Sequence, residues 1–482
     1  MAITIIKNFT TNKFYPSANP INCTISSNNS GKCNFRYICD VYINGTKVFS
    51  DKLFPDPTTG YAFFQISRLI QDYIETSVPK EAYIELLNYA ATLTTPTAAL
   101  QVYCRFGEEY DNSTECDGTI VQYTNLATSN TFYVFESAID YEDFPDFDYT
   151  DYLVGTNSNA FFLTNSQREI EVTYNDSYYL DFITLNTITA SYSLQVKGYN
   201  YDGSTNFQNT YTRTLSSYRR FRLAVGPFDI NAYENNPAIN MDISYYEVWL
   251  QFGSTIITEV FTFKVRDPKP FRTRIGFVGL KGSIEHFTFY HRNRASYNID
   301  RRNYEKLLQS NYSNEWKYEV GDRGTTTYKV SAKETHAVAT YCDKETSEWL
   351  YEMWLSPQVW TYRRPELLSF RAYQDGSSVK FWVDGDHGLK AGDDIFSFSE
   401  VGAFRDIYTI TSVNGNVVDC GLLYSVYGAD LPACGYLHKV DTWQMLPIVI
   451  SDNTIEVKQK TSRPIEYALN YQMAYQKTTL RG

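Results

Sequence analysis

Histidine is scarce in this sequence, with five in 482 residues, and no two of them stand at a metal-binding spacing. His286 and His291 are five apart in an aromatic, strand-like stretch. Odd spacing puts them on opposite faces of a strand, where they cannot share a metal. His336 and His438 have no nearby partner in sequence. Asp384-Gly-Asp-His387 opens like a ligand cluster. It lacks the later Glu of a calcium loop and reads as a solvated turn. The eight cysteines (Cys23, Cys33, Cys39, Cys104, Cys116, Cys342, Cys420 and Cys434) contain no CxxC pair and no zinc-finger spacing. Also missing are a GxSxG elbow, a phosphate-binding loop and a dinucleotide-binding glycine fingerprint. Nothing therefore marks a catalytic, cofactor or metal site, and no carboxylate pair for sugar hydrolysis is singled out.

No apolar run is long enough to span a membrane. Met1-Ala-Ile-Thr-Ile-Ile-Lys7 reads as a first strand, without the charged n-region and apolar core of a signal peptide. The expectation is synthesis in a cytoplasm, no export by the usual route, and free, buried cysteines. The net charge of −12 excludes a general nucleic-acid binder, since phosphate needs a basic face. The local basic runs Tyr218–Arg222 and Arg292–Arg302 read as salt-bridged surfaces.

Aromatic residues are what the chain has in quantity, at 16%, including 42 tyrosines. Such side chains suit a pleated, half-buried surface, and tyrosine also suits protein interfaces. Period-two alternation predicts strands at Leu100–Gly107, Tyr192–Val196, Tyr246–Phe252 and Phe261–Val265. Asn44-Gly45 and Asn414-Gly415 predict tight hairpins. Two segments predict helices. Ile66–Glu75 carries an apolar stripe and is followed by Pro79. Lys344–Leu355 has Asp343 as its cap, Trp349, Leu350, Met353 and Trp354 on one face, and Ser356-Pro357 as its stop. A further helical turn is expected over Arg301–Leu308.

The fold class expected is mainly β, with several β-sandwich domains, a small inserted β-barrel and two short helices. The barrel is placed at 376–441, where short strands alternate with glycine turns. It interrupts an α+β domain over 268–375 and 442–482. Two sandwiches precede it, at 1–135 and 171–267. Val102-x-x-x-Phe106-Gly107 and Val248-x-x-x-Phe252-Gly253 hint that these two are a duplication. Between them, 136–170 reads as an acidic, aromatic linker or arm, because its charges cannot share a core. The candidate subunit-contact residues lie here: Tyr141, Phe144, Asp146, Phe147, Asp148 and Tyr149. Calcium binding by Asp146, Asp148 and Asp151 is the lesser reading.

Three stretches carry a resemblance. The first is Phe35–Phe49 with Phe54-Pro-Asp-Pro and Phe64–Tyr73. The second is Phe271–Phe289 with the Trp349–Trp360 segment and its Ser-Pro-x-Val-Trp ending. The third is Leu446–Ile450 through Tyr471. Together they resemble tail hub or baseplate proteins of crAss-like phages, the short-tailed phages that infect Bacteroidetes. The resemblance implies a non-enzymatic virion protein that forms a ring with copies of itself. It would contact neck or portal-side proteins and distal tail or fibre proteins, with no cofactor and no specific nucleic acid. Its location would be the virion tail, after synthesis in the bacterial host cytoplasm. A receptor-binding fibre is the first alternative, but no heptads or shaft repeats occur. A polysaccharide-degrading tail enzyme is the second.

Overall fold

The computed structural model describes residues 3–474 apart from 75–89, 93–98, 114–115, 156–158, 174–175, 185–190, 215–219, 228, 231–238, 240–241, 267–271, 306–309, 313–314, 318–324, 364–367, 376–377, 384–386, 400–406, 422–432, 440–443 and 453–464. The chain divides into two compact units. One comprises residues 1–267, 278–285 and 366–441, and the other 268–277, 286–365 and 442–482. The protein is mainly β, with several sheets packed as sandwiches, and among the described residues it carries the helices Ser67–Gln71 and Lys344–Leu355.

The first unit contains two halves of similar strand order. Its N-terminal half has one sheet of strands Ile3–Lys7, Asn22–Ser27 and Ala62–Gln65. A second sheet runs Phe14–Pro16, Phe132–Phe135, Leu100–Asp111, Arg36–Ile43 and Thr46–Leu53, with Ile120–Thr128 hung on the long strand. The following half repeats the chain order and neighbours. One sheet has Leu153–Val154, Tyr179–Thr184 and Arg220–Ala224; here the first pair is parallel, and Ala90–Thr92 of the preceding half adds a fourth strand beside Arg220–Ala224. The other has Glu169–Thr173, Phe261–Arg266, Ile243–Phe252, Ser191–Asn200 and Thr205–Thr214. In each larger sheet the first edge pair is parallel and the rest antiparallel. Val102 faces Phe132 across the ladder just as Val248 faces Phe261. The motif's Phe106 is buried while its counterpart Phe252 is largely exposed.

The alternation seen in sequence does the packing. Val102, Cys104 and Phe106 point inward to meet Ile25, Ala62 and Phe64 of the facing sheet. Leu194, Val196, Val248 and Leu250 do the same against Leu180, Phe182, Phe221 and Leu223. Each such aromatic or aliphatic side chain contributes about 1.5–3 kcal/mol on full burial. All four strands read from alternation are present. Asn44 and Gly45 both take positive φ, +49° and +83°, the geometry of a two-residue hairpin turn. The second hairpin also forms, but one residue later. Asn414 pairs with Val417, so Gly415 and Asn416 are the turn residues.

Three expectations are corrected. The helix at Ile66–Glu75 is only Ser67–Gln71; Asp72–Ile74 do not continue it, and Glu75 lies outside the described residues. No helical turn covers Arg301: Arg292–Glu305 is a continuous strand, and 306–308 lie outside the described residues. The inserted barrel is not closed. Its seven-stranded sheet starts at Ile407–Thr409 and ends at Ser412–Asn414, strands joined by two residues. Ile410 N–H donates back to Asp393 while Thr411 N–H donates to Asp419, so the chain turns a corner between two ladders. Among the described residues those end strands do not pair.

A fourth correction concerns the thiols. Cys33 and Cys116 form a disulfide across 83 residues of sequence, with Cα atoms 5.2 Å apart, inside the usual range. The long pair Leu100–Asp111 and Ile120–Thr128 carries Cys116 to the loop before Arg36, where Asp111 N–H also donates to Cys33 O. Spacing alone could not reveal that meeting. Cys23, Cys39, Cys104, Cys342 and Cys420 are free and buried.

The second unit is built on a seven-stranded sheet, ordered Ile284–Phe289, Thr273–Val278, Val359–Arg363, Gln444–Ile450, Ile465–Met473, Thr325–Cys342 and Arg292–Glu305. The helix Lys344–Leu355 lies on it through Trp349, Leu350 and Met353. Asp343 accepts a hydrogen bond from Thr346 N–H at 2.7 Å, the cap read from sequence. Trp354 donates its indole N–H to Tyr467, which donates in turn to Leu350 O.

Candidate subunit interface

The acidic segment Asp140–Asp151 is wound into turns and is not extended. Asp143 and Phe144 N–H both donate to Asp140 O, Asp146 N–H to Asp143 O, and Phe147 N–H to Phe144 O. A 3-10 turn follows at Tyr149–Tyr152, with Asp148 accepting from Thr150 N–H. The expected contact residues separate into two groups. Tyr141 is 82% exposed, Asp146 is exposed and Phe144 half-buried. Tyr149, by contrast, is 1% exposed and packs with Phe14, Tyr133, Phe135, Leu153 and Ile183. Its hydroxyl donates to Ser137 Oγ at 2.8 Å, and burial pushes its phenol well above the ordinary value. Phe147 stands edge-on to Tyr149 at 4.8 Å, and Asp148 pairs with Lys13 at 3.0 Å. Phe147, Asp148 and Tyr149 thus moor the segment, and Asp140–Asp146 present its charge.

A buried charge cluster lies behind this mooring. Asp181, fully buried, receives both Arg220 and Arg222. Burial would raise its carboxyl, but the two guanidiniums outweigh that by charge and hydrogen bonding and hold it below the usual carboxylate range. Arg220 also donates to Gly282 O and lies 5.7 Å from the Phe135 ring. Gly282 has φ +84°, and a Cβ there would strike Glu136 O at 1.8 Å, so only glycine fits. The cluster is sealed and has the character of a structural brace.

The second unit also carries a two-stranded ribbon. Arg292–Glu305 pairs with Thr325–Ala339 throughout, whereas Ile465–Met473 supports the second strand only over Thr335–Cys342. Among the described residues, the ladder from Tyr297 outward is two-stranded, for about 30 Å. Every residue of Arg292–Glu305 is exposed, including Tyr297, Ile299 and Tyr304. Its signal was the basic, aromatic run assigned to a salt-bridged surface. Among the described residues, the ion pair of this run is the 3.9 Å contact of Arg302 with Asp300.

The histidines stay apart. His286 bonds the Tyr362 hydroxyl, His291 meets the Tyr341 ring at 4.7 Å, and His336 stacks on Tyr471 at 4.9 Å. His387 contacts Gly415 O at 3.1 Å, while Asp384 and Asp386 lie outside the described residues. Among the described residues no group of three His, Cys, Asp or Glu is placed to hold a metal. No helix among them is long and apolar enough to cross a membrane.

No family model matches the chain. No curated protein matches it either. Among solved structures, the calcium-binding domain CBD12 of CALX1.1 is similar at 8% identity and a TM-score of 0.17, covering 52% of this chain and 79% of that one. So slight a likeness carries nothing about function.

Proposed function

We propose that this chain is a non-enzymatic structural subunit of a bacteriophage tail. It assembles with copies of itself into a ring-like hub that joins neck or portal-side proteins to fibres or other distal tail proteins. The observation that carries the reading is the uncovered ribbon. A two-stranded ladder with both faces in water is marginal by itself and gains stability by docking on another chain. Its tyrosines and arginines are the residue types favoured where chains meet. The tail assignment draws on the resemblance of Phe35–Tyr73, Phe271–Phe289 and Leu446–Tyr471 to tail hub proteins of crAss-like phages. The braced double sandwich suits a rigid scaffold. The test is immunogold labelling of purified virions, together with negative-stain micrographs of the purified protein. Label on the tail and ring-shaped particles are expected. Unlabelled tails, or particles that remain single chains at all concentrations, would overturn the reading.

A further inference from the structure

The two faces of the ribbon differ. Tyr297, Ile299, Val330 and Ala332 share the face that continues toward the buried Val338. The other face is basic. Arg302 lies directly opposite Lys329, and Lys333 follows on the same side opposite Asn298. Like charges facing each other across a ladder weaken it. The one acid on that face among the described residues is Asp300, 3.9 Å from Arg302. Lys329 and Lys333 form no ion pair among the described residues. Beyond them Tyr304 and Tyr328 sit 6.1 Å apart, an exposed aromatic pair at the end of the cationic row. The face thus carries excess positive charge, with Asp300 as its one acid among the described residues.

The countercharge exists elsewhere in the same sequence. Asp140–Asp151 carries six acids and no base. Asp140, Glu142, Asp143 and Asp146 are exposed and have no ion partner among the described residues, and Tyr141 beside them is 82% exposed. The segment is held in shape by Phe147, Asp148 and Tyr149, so docking it loses little chain entropy.

We infer that the basic face of the ribbon docks on the Asp140–Asp146 surface of a second copy of this chain. Arg302, Lys329 and Lys333 meet the carboxylates, and Tyr304 and Tyr328 pack against Tyr141. This inference rests on the reading of the chain as a self-assembling subunit and names the contact. The two surfaces differ, so the contact is head-to-tail. Each copy offers one ribbon and one acidic surface, and repetition closes a ring where the rotation permits. A −12 chain would otherwise repel its copies, and local complementarity offsets this where it matters.

The experiment uses the full chain and native mass spectrometry with sedimentation velocity. The ribbon variant is Arg302→Glu with Lys329→Glu, and the acidic-surface variant is Asp143→Lys with Asp146→Lys. All four sites are exposed, and far-UV circular dichroism checks that each variant folds. Wild type is expected to form a closed oligomer that dissociates as salt rises. Each variant alone should associate at least about tenfold more weakly. Mixing the two should restore association as alternating one-to-one assemblies, because both contacts between unlike variants are then matched while each like contact stays repulsive. A chain carrying all four substitutions should regain the ring. If wild type forms a ring and both variants still form it, this contact is wrong while self-assembly stands. If wild type stays monomeric, both ideas fall. Should the ribbon variant fail to fold, the acidic-surface variant alone decides: an intact ring sinks the contact.

Discussion

Asp181 sets the terms at the residue scale. A carboxylate with no exposure, held by two arginines, is a brace whose removal leaves two cations in a low dielectric. Asp181→Asn is expected to cost about 3–5 kcal/mol, read as a lowered midpoint in denaturant unfolding. A change below about 1 kcal/mol would mean that water reaches the arginines. The pH dependence follows from the direction of the shift. The folded-state carboxyl is depressed, so its contribution is complete above the unfolded value, about 3.9, and fades as pH falls through the folded one. Unfolding of wild type at descending pH should therefore show a loss of stability below about pH 4 that the Asn variant lacks. Tyr149 makes a related point. Its composition and neighbours suggest a contact residue, yet its ring and hydroxyl are used inside the fold.

At the scale of the element, local signals worked where a cap, an alternation or a turn residue defined the structure. The helix Lys344–Leu355 came through with its bounds, cap and buried face because all three are written in adjacent residues. Replacing Asp343 with Ala should destabilise that helix by about 1 kcal/mol, measurable by faster amide exchange in its first turn. Unchanged exchange would show that tertiary packing alone holds the end. Over Ile66–Glu75 the apolar stripe marks a helix, but the helix covers only Ser67–Gln71, and no residue at its end marks where it stops. The ribbon is not legible locally, for a different reason. A run such as Arg292–Glu305 has polar residues on both faces, and its local pattern does not say whether a third strand or solvent lies beside it.

For the whole molecule, the repeated strand order of the first unit is the main architectural feature. Its two halves share strand order and a parallel edge pair, although only Val102–Gly107 and Val248–Gly253 hinted at it in sequence. Cores tolerate wide exchange of apolar residues, so topology outlasts sequence similarity. If the ribbon joins copies, folding and assembly are linked by mass action, and the thermal midpoint should rise with protein concentration. The Arg302→Glu, Lys329→Glu variant should lose that dependence. A midpoint independent of concentration for wild type, in differential scanning calorimetry, would count against assembly through folded subunits.

By itself the sequence determined the β class, the strands with one buried face, the Asn44-Gly45 turn and the long helix, since each depends on neighbours within a few positions. It also located the acidic charge of Asp140–Asp151. Only the tertiary structure decided that Cys33 meets Cys116, that Asp181 gathers Arg220 and Arg222, and that Tyr149 is an anchor. It also decided that Arg302 and Lys329 face each other on an unsupported ladder. Those outcomes depend on which distant strands pair and in what register, and a shift of one residue would turn every side chain to the other face.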